Sequence, residues 1–84
     1  MWYVYILLCR GNSYYIGITN NLERRFKDHQ EGKGGAYTKS HKPIRLVYSE
    51  PHPDRSSALK REIQLKTWSR TKKVELVAGI VKNL

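Results

Sequence analysis

Eighty-four residues make one domain, because two hydrophobic cores cannot form in so short a chain. Sixteen Lys and Arg stand against seven Asp and Glu, a net charge of +9 that points to a polyanionic partner, nucleic acid ahead of an anionic membrane surface. The single cysteine, Cys9, leaves no internal disulfide and no cysteine zinc site. The apolar opening from Met1 to Cys9 falls far short of the about 18–20 residues that a membrane span needs, so we expect no membrane role and place the chain in a reducing cytoplasm.

In chain order, Trp2 to Cys9 is a run rich in aromatic and β-branched residues, as a strand covered on both faces requires. Arg10 to Ser13 is turn chemistry, and Tyr14 to Thr19 returns as the second arm of a hairpin. Thr19, Asn20 and Asn21 each can cap a helix over Leu22 to Glu31, which Gly32-Lys33-Gly34-Gly35 ends. Gly32 to Pro43 reads as a basic loop holding Tyr37 and His41, with room for one helical turn. Ile44 to Ser49 alternates as a third strand that Pro51 and Pro53 end. Asp54 or Ser56 then caps a helix reaching Trp68 or Ser69, and Thr71 caps a last helix with Val74, Val77, Ile80, Val81 and Leu84 at helical spacing. The order β-β-α-β-α-α predicts an α+β domain, residues 1–84, with a small three-stranded antiparallel sheet flanked by helices.

Candidate chemistry follows from these placements. Tyr5 and Tyr15 share one face of the hairpin if its loop has an odd length, and three residues, Gly11 to Ser13, satisfy that. Gly17 then leaves a gap on the same face, open to a phosphate backbone or filled by close packing. On the first helix, Arg25 and His29 fall on the stripe of Leu22 and Phe26. Arg25 there is either a forked phosphate donor or a side chain snorkelling from the core edge. His29 is either a proton-transfer group or a satisfied structural histidine. Glu62 sits inside an apolar arc of its helix, either paired with Lys66 one turn on or serving as a hard oxygen ligand for Mg²⁺ or Mn²⁺. Arg61, Lys66, Arg70, Lys72 and Lys73 surround Trp68 as a phosphate-tracking surface with a stacking ring, and Lys33, Lys39 and Lys42 extend it from the loop. A solvated basic face explains the same residues.

Taken together, Tyr3-Val4-Tyr5, Tyr15-Ile16-Gly17, Asn21-Leu22 with Arg25 and His29, and Glu62 resemble the GIY-YIG endonuclease superfamily over nearly the whole chain. The Lys66-Thr67-Trp68-Ser69-Arg70 segment resembles its small stand-alone bacterial members. The resemblance implies one site holding Tyr5, Tyr15, Arg25, His29 and Glu62, with a single divalent metal, Mg²⁺ or Mn²⁺, on Glu62. It implies hydrolysis of nucleic-acid phosphodiester bonds, DNA ahead of RNA, with a protein partner as a possible source of specificity. The alternative is a non-catalytic nucleic-acid-binding module that keeps the fold. A basic protein–protein adaptor comes third.

Overall fold

β1 (Trp2–Cys9) is the central strand, and its two sets of alternating side chains are both buried. β2 (Ser13–Thr19) and β3 (Pro43–His52) pair with it antiparallel on either side, giving the order β2-β1-β3. The computed structural model describes residues 1–79. Four helices complete them: α1 (Leu22–Gln30), α2 (Ala36–Ser40), α3 (Arg55–Lys66) and α4 (Arg70–Val77). The α+β class and the flanked three-stranded sheet stand as expected, and the loop after α1 contributes α2 as a short extra helix.

Alternation along β1 divides the core in two. Val4 and Ile6, with Ile16 of β2, meet Ala58 and Leu65 of α3 and Leu76 of α4. Tyr5, Leu7 and Cys9 face the other way and pack with Tyr15, Leu22 and Phe26. The central strand is thus covered on both faces, and that is why it carries no polar residue between Trp2 and Cys9. The three residues of the hairpin loop are Arg10 to Asn12, one position earlier than predicted, because Cys9 pairs with Ser13. Gly11 and Asn12 both take positive φ, the geometry that closes a tight hairpin.

Three boundaries differ from the sequence reading. β3 runs on through Pro51, which sits opposite Tyr3; an outer strand tolerates a proline because the lost N–H can face away from the ladder. Register shifts opposite Ile6/Leu7 and Leu8/Cys9 also break the simple alternation of β3. α3 stops at Lys66, where Thr67 caps its C-terminus, and α4 is capped by Ser69 and not Thr71, since the Ser69 hydroxyl accepts from the Lys72 N–H. On α4 the buried residue is Leu76, whereas Val74 is exposed; Ile80, Val81 and Leu84 of the expected stripe lie outside the described residues. Asn21 and Asp54 cap α1 and α3, accepting from the N–H groups of Arg24 and Ser57. No helix among the described residues is long and apolar enough to cross a membrane.

Candidate active site

The odd-length loop sets Tyr5 directly across from Gly17 and Leu7 across from Tyr15, so both tyrosines point toward α1. Their ring centroids are 6.3 Å apart. A Cβ at position 17 would lie 2.5 Å from the Tyr5 hydroxyl, so Gly17 makes room for that tyrosine and the gap foreseen on this face is filled by it. Close packing, not access for a phosphate backbone, explains this glycine.

α1 supplies the next two groups. His29 is wholly buried and lies edge-on to Tyr15, with centroids 4.9 Å apart. Its Nε2 is 2.8 Å from the Tyr5 hydroxyl and its Nδ1 is 2.8 Å from Oγ1 of Thr38 on α2. Arg25, one turn earlier, hydrogen-bonds the same Tyr5 hydroxyl and reaches the Gly34 carbonyl at 3.4 Å. Guanidinium can only donate. The Tyr5 oxygen therefore accepts from Arg25 and shares a further hydrogen bond with His29 Nε2, while His29 Nδ1 bonds the Thr38 hydroxyl; the imidazole tautomer sets the direction of both.

Burial dominates the electrostatics here. It pushes the Tyr5 hydroxyl up to about 12, against the opposing hydrogen bond from Arg25, with Tyr15 and Glu62 adding to the rise. It also lowers His29 to about 4, with the Arg25 charge acting in the same direction. Burial is the largest single influence on the Arg25 guanidinium and lowers it, but the Tyr5 hydrogen bond together with the charges of Tyr5, Tyr15 and Asp28 outweighs it, and the group sits above its ordinary value. At neutral pH the cluster holds a phenol, a neutral imidazole and a guanidinium cation.

Glu62 comes from α3, and its charge is felt at Tyr5. Its side chain is only 14% exposed, with Oε2 3.6 Å from Lys66 Nζ. It is thus shielded from bulk water and keeps the lysine as its ion-pair partner. No cluster of three or more His, Cys, Asp or Glu forms among the described residues. A lone shielded carboxylate nonetheless fits Mg²⁺ or Mn²⁺, ions that commonly take one or two carboxylates and complete their shell with water and substrate phosphate.

Thr38 and Gly34 belong to this site although the sequence reading passed over them. A Cβ at Gly34 would collide with the His29 ring, so only glycine lets the loop close over the histidine. Thr38 is buried and fixes α2 to α1. The glycine-rich composition of the loop was visible, but its contact with α1 is a tertiary fact.

The proposed nucleic-acid surface divides in the structure. Lys33 pairs with Glu31 at 3.4 Å, while Lys39 and Lys42 are exposed. Arg61 turns inward to Glu50, its Nε 3.0 Å from Oε2, and stands 5.2 Å over the Trp68 ring. Lys72 lies 4.1 Å over the same ring, and Trp68 packs against the core, so cations cover this ring. Arg70 sits 4.3 Å over Tyr14. Lys66 and Lys73 line a cleft beside Tyr15.

This fold and its cluster of tyrosines, arginine, histidine and glutamate place the chain in the GIY-YIG family: the profile of the GIY-YIG catalytic domain matches residues 1–75. The family acts on nucleic acids. Among its relatives is the UPF0213 protein XAC3202 of Xanthomonas axonopodis pv. citri, 49% identical over 87% of this chain and 72% of that one. The UPF0213 protein SH2523 of Staphylococcus haemolyticus is 45% identical over 89% of this chain and 92% of its own length. The solution NMR structure of the UPF0213 protein BH0048 from Bacillus halodurans superposes with a TM-score of 0.59 at 43% identity, covering 93% of this chain and 84% of that one.

Proposed function

We propose that the protein is a metal-dependent endonuclease that hydrolyses phosphodiester bonds of nucleic acid, DNA foremost. The observation that carries this reading is the convergence on one phenolic oxygen: Arg25 donates to the Tyr5 hydroxyl, His29 Nε2 hydrogen-bonds it, and the Glu62 charge is felt there. A pure binding surface has no use for a shielded acid whose charge reaches the tyrosine that the guanidinium also touches.

In this reading Arg25 binds a non-bridging phosphate oxygen and stabilises the charge that develops on it, the electrostatic contribution that preorganised donors make best. Tyr15, half-buried at the mouth of the site, orients the attacking water. As the water attacks phosphorus, its proton passes to the Tyr5 oxygen while the Tyr5 proton passes to His29 Nε2, and the leaving oxygen is protonated by solvent. The relay suits a phenol too weakly acidic to ionise by itself. It becomes easier once phosphate binds, because an anion beside Arg25 offsets the Arg25 charge, the smaller of the two influences, after burial, that hold His29 neutral. Glu62 would hold a single Mg²⁺ or Mn²⁺, which when bound supplies Lewis-acid stabilisation to the phosphate.

The ion pair between Glu62 and Lys66 favours a second reading, a nucleic-acid-binding module that cuts nothing. Incubation of plasmid, branched and single-stranded substrates at low salt with Mg²⁺, Mn²⁺ or EDTA separates the two. The endonuclease cuts with metal and stops in EDTA; the binding module retains substrate in both without cutting.

A further inference from the structure

Beside Tyr15 lies a cleft of about 210 Å³ that hydrolysis at phosphate does not account for. Tyr14, Tyr15 and Ile16 of β2 form one wall, Tyr37 of α2 another, and Lys66 and Lys73 complete it. Three of its six lining side chains are phenolic rings and two are cations; none is acidic. β2 is an outer strand, so its far edge presents backbone N–H and C=O groups that no strand among the described residues pairs with. The volume falls below the about 300–1,000 Å³ of pockets that bury a drug-sized ligand, so a single planar ring system fits and little more.

Tyr37 is held as a fixed wall. Its ring lies nearly parallel to His41, 4.5 Å away and 9° apart, and 5.9 Å from Tyr15 at 26°. Thr38, the next residue, is tied to His29 by the 2.8 Å bond that also joins the Tyr5 network. Lys66 belongs to both places, lining the cleft while its ammonium pairs with Glu62. The cleft therefore borders the candidate active site through Tyr15 and Lys66.

We propose that this cleft is a nucleobase pocket: it takes the base of an unpaired nucleotide next to the scissile phosphate, and so selects single-stranded or locally opened nucleic acid over intact duplex. The inference rests on the reading of the neighbouring site as one that acts on phosphodiesters. A base inside a duplex stack cannot reach a recess of this size unless it swings out, and unpaired nucleotides do so at least cost. Aromatic walls take any base by its π-face, the cations take the phosphates on either side, and the β2 edge offers hydrogen bonds to the base's polar rim.

Fluorescence anisotropy in EDTA tests this without any cutting. The probes are short labelled single-stranded DNA, single-stranded RNA and blunt duplex DNA, with wild type, Tyr37→Leu and Tyr37→Phe at one salt concentration. Tyr37 is 39% exposed, so both variants are expected to fold. Wild type binds a single strand more tightly than duplex; Tyr37→Leu weakens the single strand by about 5- to 100-fold and leaves duplex unchanged; Tyr37→Phe keeps wild-type affinity. The two single-stranded arms tell whether DNA or RNA supplies the base. A Tyr37→Leu effect that is absent, or equal on single strand and duplex, overturns the pocket. Because the readout needs no metal, a protein that never cuts still decides the matter. A protein that cuts but shows no dependence on Tyr37 loses the pocket alone.

Discussion

The hydroxyl of Tyr5 lies 2.8 Å from Nε2 of His29, so a strand residue and a helix residue 24 positions later share one buried hydrogen bond. Neither group is charged at neutral pH. The cation of the cluster is Arg25, which donates to the same phenolic oxygen.

That burial makes His29 a reporter of folding. Its ordinary value is 6.5 and the fold lowers it to about 4, so between these values the unfolded chain binds a proton that the native state refuses. The contribution to stability is full above about pH 6.5 and is lost as the pH falls toward 4, amounting to no more than about 3 kcal/mol. An NMR titration of the imidazole should place the His29 transition near pH 4. A midpoint near 6.5 would mean that the ring is solvated.

Two glycines guard the same pair. Gly17→Ala drives a methyl group against the Tyr5 hydroxyl, and Gly34→Ala drives one into the His29 ring. Each should cost about 1–3 kcal/mol by overpacking, read from the midpoint of urea unfolding. Of the two, Gly34→Ala should suffer more, since a buried ring held at both nitrogens has nowhere to move. A Gly34→Ala protein as stable as wild type would show that the loop does not close over His29.

Much of this was legible in the residues. The unbroken apolar run of β1 announced a strand covered on both faces, and helical spacing put Arg25 and His29 on the inward stripe of α1. Parity alone brought Tyr5 and Tyr15 together, which is why an error of one position in the hairpin loop did no harm. What the sequence hid was tertiary. No periodicity connects Thr38 to His29, or Gly17 to the tip of Tyr5. Composition suggested that Arg61 and Trp68 belonged to one basic surface, yet Arg61 is drawn inward by Glu50, which also accepts from Tyr48 at 2.6 Å and lies 2.6 Å from His52 Nε2. A lone acid on β3 carries no local signal that it gathers such partners.

Glu50 should accordingly matter for stability. Hydrogen bonds from Tyr48, His52 and Arg61 outweigh its burial and hold its carboxyl below the ordinary value. Glu50→Ala removes the acceptor those donors share, and we expect a loss of about 1–3 kcal/mol in urea unfolding. Glu50→Gln, which keeps an acceptor oxygen, should recover part of it. No change in the alanine variant would mean that water replaces the carboxylate freely.

Charge should set the affinity for nucleic acid. With a net charge of +9, binding is expected to weaken linearly in log–log form as salt rises. Lys73→Gln should make that slope shallower by about one unit, as loss of a single phosphate contact does. An unchanged slope would remove Lys73 from the interface.

The most direct test compares single-turnover cleavage by wild type and Glu62→Gln with Mg²⁺, with binding to the same substrate measured alongside. Glutamine keeps the shape of the side chain and removes its charge. The account predicts a rate at least about 100-fold slower at nearly unchanged affinity. Equal rates in the two proteins, or binding without cutting in both, would contradict it.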